Sequence, residues 1–235
     1  MHAILMAAGI GSRLGTKEKS KCMWEVGGMP LIEHTIKMLL ENDVSVSIVT
    51  GYKAESIQNA MKDYDIHWYY NPFYRVTNSI GSLWFAREQL EKKEDLILAS
   101  ADVFWDSELL DLLKNDEHEA TILGDSTRCE VGDYFFQTEN GFIKKYGKAK
   151  DMPISIRSSE NLGVARIKTS FLDGFRNRMN TLISEEQYNI WWENVLYNYC
   201  DEYPVYVKDV NGHFWGEIDC LSDYERIAGF LDRKL

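Results

Sequence analysis

Short apolar runs alternate with segments of helical periodicity through the first half of the chain. The apolar runs that predict buried strands are Ile4–Met6, Val46–Thr50, His67–Tyr70 and Leu96–Ala99. The segments that predict amphipathic helices are Leu31–Leu40, Glu55–Met61, Ser79–Leu90 and Ser107–Leu113. Strands that alternate with helices indicate an α/β fold with a Rossmann-like, mostly parallel sheet flanked by helices. Ligands bind such sheets outside the carboxyl ends of the strands.

The pattern changes after about Ala120. Two polar-apolar segments flank Asn140-Gly141, a pair that favours the tight turn of a β-hairpin. The elements predicted beyond it are a strand at Leu162–Ile167, helices at Phe171–Met179 and Glu185–Tyr199, a strand at Val205–Lys208 and a helix at about Ser222–Leu231. We find no repeat and no linker. We therefore expect one domain over residues 1–235, with a nucleotide-binding half at about 1–120 and an acceptor-side, metal-ligand half at about 121–235.

A glycine loop follows the first strand. Its backbone N–H groups can surround a phosphate because glycine has no Cβ in the way, and nearby cations can pair with the same polyphosphate. The residues that this interpretation places at a nucleotide are Ala7, Ala8, Gly9, Gly11, Ser12, Arg13 and Lys21, with Arg13 and Lys21 as the catalytic cations. An ordinary strand–turn–helix with two surface cations is the alternative, since a bare G-x-G is a weak signal.

The longer string A-A-G-x-G-S-R-L, followed by Lys21 and by Gly27-Gly28-Met29-Pro30-Leu31-Ile32, is more specific. It resembles the signature of the nucleoside-triphosphate transferase (nucleotidyltransferase) family. The resemblance implies a glycosyltransferase-A-like nucleotidyltransferase fold and an enzyme that depends on Mg²⁺. One departure is Ser20-Lys21, where the family usually has Pro-Lys, so Lys17 and Lys19 compete with Lys21 for the phosphate.

Two aspartates are the candidate metal ligands. Asp102 ends the buried strand that contains Ile97-Leu98-Ala99, where the resembled family has a Mg²⁺-binding aspartate. Asp219 lies in Gly216-Glu217-Ile218-Asp219, where alternation places Glu217 and Asp219 on one face and Ile218 in the core. The alternative for each aspartate is a turn or helix-capping role.

Three further segments resemble bacterial phosphocholine and 2-aminoethylphosphonate cytidylyltransferases. They are G-E-I-D-x-x-x-D-Y from Gly216, the stretch from Asn71 to Leu83, and Ile190-Trp191-Trp192-Glu193-Asn194. This resemblance implies transfer of CMP from CTP, with Asn78 and Ser79 at the nucleotide and Asp219 as the second metal ligand. It also implies that Trp192 and Glu193 hold a cationic acceptor head group. Helix capping by Asn78 or Ser79 and core packing of Trp192 are the alternatives.

The acceptor stays open at this point. Phosphocholine, phosphoethanolamine and 2-aminoethylphosphonate each fit the tryptophan segment, and these products are precursors of cell-surface polymers in the resembled enzymes. A phosphorylated amino acid would need extra cations, which Arg128, Arg157 or Lys144 can supply. A sugar-1-phosphate uridylyl- or thymidylyltransferase is the other enzymatic alternative, and a nucleotide-binding regulatory module is the alternative outside catalysis.

Composition narrows the function classes. The 235-residue chain carries a net charge of −11, which opposes binding to a nucleic-acid backbone. The four cysteines are scattered, as are the five histidines, so we expect reduced thiols and no zinc site. The first apolar run ends in a glycine loop and has no basic flank, which is not the pattern of a signal peptide. We expect a cytoplasmic monomer or homodimer that binds CTP and a small phosphorylated acceptor, and no membrane.

Overall fold

The computed structural model describes residues 1–11 and 19–233. Its strands are β1 His2–Ala7, β2 Glu25–Val26, β3 Met29–Pro30, β4 Ser45–Thr50, β5 Ile66–Tyr70, β6 Leu96–Ser100, β7 Val103–Phe104, β8 Ala120–Asp125, β9 Tyr134–Glu139, β10 Phe142–Lys148, β11 Ser159–Ile167, β12 Tyr206–Asp209 and β13 Gly216–Glu217. Its α-helices are α1 Leu31–Glu41, α2 Ala54–Ala60, α3 Ser79–Phe85, α4 Ser107–Lys114, α5 Leu172–Ser184, α6 Asn194–Tyr197 and α7 Leu221–Leu231.

Strand β1 lies in the middle of the parallel part of the main sheet. It pairs in parallel with β4 on one side and with β6 on the other, and β5 extends the sheet beyond β4. All six residues of β1 are buried, because helices cover both faces of the sheet. Alternate residues enter two separate cores: Ile4 and Met6 face one, and Leu5 and Ala7 face the other. The four strands predicted for the first half of the chain are confirmed.

The second half adds antiparallel strands to the same sheet. The full order is β5-β4-β1-β6-β11-β8-β12-β10-β9, and β9 also pairs with the start of β11. β11 runs antiparallel to both β6 and β8, so it joins the two halves of the chain. The hairpin prediction is confirmed: Asn140 and Gly141 both have positive φ between β9 and β10.

Two helix predictions are wrong. The segment Ser79–Leu90 is not one helix, because α3 ends at Phe85 and a 3₁₀ turn covers Arg87–Glu91. The predicted helix Glu185–Tyr199 shrinks to α6, since Glu186 has a φ of +62° that ends the helical path. Residues 188–192 instead bond to the start of α3, where Asn78 N–H donates to the Tyr188 carbonyl. The apolar residues of this segment are therefore buried as part of a loop and do not form one face of a helix.

Two features of the fold were not predicted from the sequence. β8 is a fully buried strand that the sequence pattern did not separate from its neighbours. The short strands β7 and β13 pair with each other outside the main sheet.

Within residues 1–11 and 19–233, no helix combines the length and the apolar character that crossing a membrane requires.

Candidate active site

The carboxyl ends of β1 and β6 open into a cleft of about 360 Å³. The start of α3, the first half of β11 and the strand β13 form its other walls. The predicted site residues among its lining are Ala7, Ala8, Gly9, Gly11, Lys21, Asn78, Ser79, Asp102, Glu193 and Asp219. Ser79, Glu193 and Asp219 are far from the loop after β1 in the sequence, yet they line the same cleft.

The loop after β1 has the shape that its glycines suggested. Ala7 and Ala8 are buried at the end of the strand. Gly11 has a φ of +68°, and a Cβ there would lie 2.6 Å from Cγ of Lys21. A side chain at Gly11 would therefore displace Lys21 in addition to straining the backbone. The predicted phosphate contacts Ser12 and Arg13 fall outside the described residues.

Lys21 extends from a short 3₁₀ turn into the cleft. Its ammonium donates to Asp219 and lies 3.6 Å from Oδ2 of Asp102. Burial acts to lower the pKa of Lys21, but the charges of Asp102 and Asp219 outweigh it and raise that pKa. Lys19, one of its two competitors, is exposed and pairs with Glu25 at 3.4 Å. The other competitor, Lys17, lies outside the part of the chain that the structure describes.

Three carboxylates converge beside Lys21. Asp102, Glu217 and Asp219 each offer one oxygen, and these oxygens all lie within 4.8 Å of one another. The β7–β13 pairing brings them together, since Glu217 is opposite Val103 and Ile218 N–H donates to the Asp102 carbonyl at 3.0 Å. Burial raises the pKa of Asp102, and the charge of Asp219 adds to this rise while Lys21 opposes it. A cluster of hard oxygen ligands suits a divalent cation such as Mg²⁺.

Glu217 is the member of this cluster that was not predicted from the sequence to be a ligand. Alternation along β13 did place Glu217 and Asp219 on the face opposite Ile218, and Ile218 is fully buried. Asp219 does not cap the final helix. The N-cap of that helix is Cys220, and Asp223, at the third helical position, completes a capping box by accepting from the backbone N–H groups of Cys220 and Asp219.

Asn78 and Ser79 combine a structural contact with a place on the cleft. Asn78 is the N-cap of α3, where its Oδ1 accepts from Ser79 N–H at 2.8 Å. Ser79 Oγ accepts from Trp192 N–H at 2.9 Å. The capping alternative is therefore realised for Asn78. The bond to Trp192 ties the predicted nucleotide side of the cleft to its predicted acceptor side.

The structure corrects the position of Trp192. Its side chain is 0% exposed and packs in the core with residues such as Val195 and Tyr197. Its neighbour Trp191 lines the cleft instead, edge-on to Tyr134 with ring centroids 5.1 Å apart. The core-packing alternative is therefore realised for Trp192.

Glu193 is a buried carboxyl group on the cleft wall. It is 6% exposed, and burial raises its pKa to about 7, against a lowering contribution from its hydrogen bond with Asn161. Asn161 Oδ1 also accepts from Gly163 N–H at 3.0 Å. Gly163 has a φ of +71° and lies where the β11–β8 register is irregular. The bulge in β11 lies close to Glu193, since a Cβ at Gly163 would be 3.5 Å from Glu193 Oε1, and both Asn161 and Glu193 line the cleft.

A second buried carboxyl group, Glu160, lies at the start of β11. It accepts from Arg128 Nε at 2.5 Å, and burial raises its pKa to about 7 although Arg128 opposes the rise. Arg157 is turned away from the cleft, where it donates to three backbone carbonyls, including that of Cys129 at 3.0 Å. Lys144 is an exposed partner of Glu139. Of the three cations proposed for a negative head group, only Arg128 contacts a cleft residue.

Comparison with known proteins agrees with this arrangement. Residues 3–134, more than half of the chain, match the model of the MobA-like NTP transferase domain. The chain belongs to the MobA-like NTP transferase domain family. The family resemblance predicted from the glycine loop is thereby confirmed. The matched segment contains β1, the glycine loop, Lys21, α3 and Asp102, and it ends at Tyr134.

Curated relatives match over nearly the whole length. The chain is 27% identical to the CTP:phosphoglutamine cytidylyltransferase of Campylobacter jejuni, over 96% of this chain and 98% of that protein. It is 26% identical to a choline-phosphate cytidylyltransferase of Streptococcus pneumoniae, over 100% of both chains. A solved structure of the S. pneumoniae CTP:phosphocholine cytidylyltransferase superposes with a TM-score of 0.81 at 22% identity, covering 98% of each chain. The predicted nucleotidyltransferase fold is confirmed.

Proposed function

We propose that this protein is a Mg²⁺-dependent cytidylyltransferase that transfers CMP from CTP to a small phosphorylated acceptor and releases pyrophosphate. The observation that carries the proposal is the convergence of Asp102, Glu217 and Asp219 beside Lys21 and the glycine loop. Transfer of a nucleotidyl group needs charge neutralisation and positioning more than covalent help from the protein. The cleft brings together, within one cavity, charged groups that can neutralise the triphosphate and groups that can position it.

The nucleotide side is built from the loop after β1 and the start of α3. We assign the triphosphate to the backbone of residues 7–11, to Lys21, and to Ser12 and Arg13 from the sequence pattern. Asn78 and Ser79 are assigned to the nucleoside, because both line the cleft at the N-terminus of α3. The choice of CTP is supported by the names of the curated relatives that match over the whole chain.

The metal side consists of the three carboxylates. Their oxygens are close enough to share one cation, and carboxylate oxygens are the ligands that Mg²⁺ prefers in proteins. When bound there, Mg²⁺ would neutralise phosphate charge and withdraw electrons from the phosphorus that is attacked. The residues of this chain would hold the triphosphate in one orientation and place cationic side chains beside the phosphates that leave as pyrophosphate.

The transfer itself is a displacement at the α-phosphorus. A phosphate oxygen of the acceptor forms the new bond, while the bond from the α-phosphorus to the bridging oxygen breaks and its electron pair leaves with pyrophosphate. Lys21 and Arg13 would stabilise the charge that grows on this leaving group. No residue of the protein needs to form a covalent intermediate.

The acceptor side faces β11 and the segment after Tyr188. Glu193 and Glu160 supply carboxyl groups there, and Trp191 and Tyr134 supply aromatic surface. Both carboxyl groups have pKa values raised to about 7 by burial, which a cationic head group would counteract. We therefore favour an acceptor with an amine or quaternary ammonium group, as in the named relatives for choline phosphate. The Arg128–Glu160 pair fits the alternative, a phosphorylated amino acid derivative such as the phosphoglutamine of the C. jejuni relative.

A matrix of substrates tests the proposal. CTP, UTP, dTTP, ATP and GTP are each combined with phosphocholine, phosphoethanolamine, 2-aminoethylphosphonate, phosphoglutamine and a sugar 1-phosphate, and pyrophosphate release is measured. We expect turnover with CTP and one nitrogen-bearing acceptor, and a loss of orders of magnitude in Asp102→Asn and Asp219→Asn. Faster turnover of a sugar 1-phosphate with UTP or dTTP would contradict the assignment. Nucleotide binding without turnover in any combination would favour a regulatory module.

A further inference from the structure

The ammonium of Lys21 occupies the point on which the metal-side carboxylates converge. It bonds to Asp219 and lies 3.6 Å from Asp102, and both aspartates belong to the three-carboxylate cluster. A divalent cation held between the same carboxylates would meet the positive charge of the ammonium at short range. In the arrangement seen here, Lys21 therefore opposes binding of a metal to these two aspartates.

We propose that Lys21 competes with the divalent cation for Asp102 and Asp219 and so sets the order in which metal and nucleotide bind. Without nucleotide, the ammonium neutralises the aspartates and keeps the affinity for a lone metal ion low. When the metal arrives with a triphosphate, the ammonium moves to the phosphates, which become its new partner. The inference rests on the proposed function for the nucleotide half of this exchange.

The structure of the Lys21 side chain allows such a movement. Its stem crosses Gly11, where the missing Cβ leaves room for the methylene groups, so the base of the side chain is held by the glycine loop. Its head is a compact point charge at the end of rotatable bonds, unlike the rigid fork of an arginine. A small rotation about the outer bonds moves the charge from the carboxylates toward the loop that is assigned to the triphosphate.

The electrostatics explain why the cluster needs an internal counter-ion. Three carboxylates whose oxygens lie within 4.8 Å repel one another when ionised. The ammonium of Lys21 bonds to Asp219 and lies 3.6 Å from Oδ2 of Asp102, so its positive charge offsets this repulsion.

Binding of Mn²⁺ alone tests the exchange without any turnover. The full chain is titrated with Mn²⁺ in the absence of nucleotide, with free Mn²⁺ followed by electron paramagnetic resonance. Lys21→Met keeps an unbranched stem over Gly11 and removes the charge, so we expect Mn²⁺ to bind about tenfold more tightly or better. Lys19→Ala is the matched control, because Lys19 is an exposed lysine paired with Glu25, and its variant should bind Mn²⁺ as the native chain does.

Two further measurements locate the effect. Adding Asp219→Asn to Lys21→Met should abolish the gain in Mn²⁺ affinity. Lys21→Met should also weaken the binding of CTP, measured by calorimetry at saturating Mn²⁺. Circular dichroism checks that each variant folds, and Lys21→Gln replaces Lys21→Met if the latter does not.

The outcomes separate this inference from the proposed function. Unchanged or weaker Mn²⁺ binding in the folded Lys21→Met chain would overturn the exchange, as would a gain in Mn²⁺ affinity with CTP binding unaltered. A tenfold gain together with weaker CTP binding supports it. If those two results were found in a chain that transfers no nucleotide to any acceptor, the exchange would stand and the proposed transferase activity would be wrong.

Discussion

Asp223 accepts a hydrogen bond from the backbone N–H of Asp219 at 3.0 Å, so the capping box at the start of α7 also fixes the backbone of a proposed metal ligand. The same carboxylate oxygen accepts from Cys220 N–H at 2.9 Å. Burial acts to raise the pKa of Asp223, but the hydrogen bonds from Cys220 and Asp219 outweigh it and lower that pKa. An ionised carboxylate at a helix N-terminus also interacts favourably with the helix dipole.

Asp223→Ala should lower both stability and turnover. Loss of the capping-box hydrogen bonds to Asp223 should cost about 1 kcal/mol of unfolding free energy, and release of the Asp219 backbone should reduce kcat more than it changes KM for CTP. Asp223→Asn keeps an acceptor oxygen and should retain most of the turnover. Ile227→Val removes one buried methylene elsewhere in α7, at a similar cost of about 1 kcal/mol. Equal kcat in Asp223→Ala and Ile227→Val would show that Asp223 acts through stability alone.

Glu193 should make the protein less stable as pH rises from about 5 to about 8. Its pKa is raised from 4.5 to about 7 in the folded chain, so the folded state binds the proton more tightly than the unfolded state in that window. Unfolding free energy therefore falls with rising pH, by about 3 kcal/mol at most from this group. Glu193→Gln cannot titrate and should flatten this part of the profile.

Denaturant unfolding at several pH values measures the effect. The quantity to compare is the difference between native chain and Glu193→Gln, because Glu160 has a similarly raised pKa and contributes to both profiles. That difference should grow in favour of the variant between pH 5 and pH 8. Parallel profiles would mean that Glu193 titrates near its ordinary value in the folded protein.

The proposed nucleotide half of the site could be outlined from the sequence because its signals are local. The strand before Gly9, the helix that starts near Asn78 and the strand before Asp102 each lie within a short stretch of sequence. Their meeting point then follows from the rule that ligands bind at the carboxyl ends of parallel strands. The prediction of Lys21 over Lys19 did not follow from that rule, and it needed the position of the 3₁₀ turn.

The proposed acceptor half was less predictable because its contacts join distant segments. Glu160 and Asn161 lie at the start of β11, where a polar residue has no local pattern that assigns it to a cleft. Their orientation comes from the bulge at Gly163 and from pairing with β8 and β9. The family resemblance placed Trp192 at the acceptor, whereas the segment before α6 bonds to the start of α3, with Trp191 on the cleft and Trp192 in the core.

The two tryptophans should therefore respond differently to truncation. Trp192→Ala removes a fully buried side chain and should cost about 3–5 kcal/mol of unfolding free energy, with all substrates affected together. Trp191→Ala alters the cleft wall, so it should change stability little and raise KM for the acceptor about tenfold while CTP binding stays the same. Melting temperature and the two KM values distinguish the cases. A selective acceptor defect in Trp192→Ala, with no loss of melting temperature, would contradict the structure.

Gly11→Ala should disturb the nucleotide site through Lys21. The backbone of Gly11 has a φ of +68°, and the new Cβ would lie 2.6 Å from Lys21 Cγ, so the variant strains the loop and displaces the lysine. We expect about 1 kcal/mol of lost stability from the left-handed backbone and weaker CTP binding, measured by calorimetry. Gly174→Ala in α5 is the control, since a Cβ there meets no described atom within 4 Å and should leave CTP binding unchanged. If Gly11→Ala bound CTP as the native chain does, the stem of Lys21 would not depend on Gly11, and the lysine would reach the nucleotide by another path.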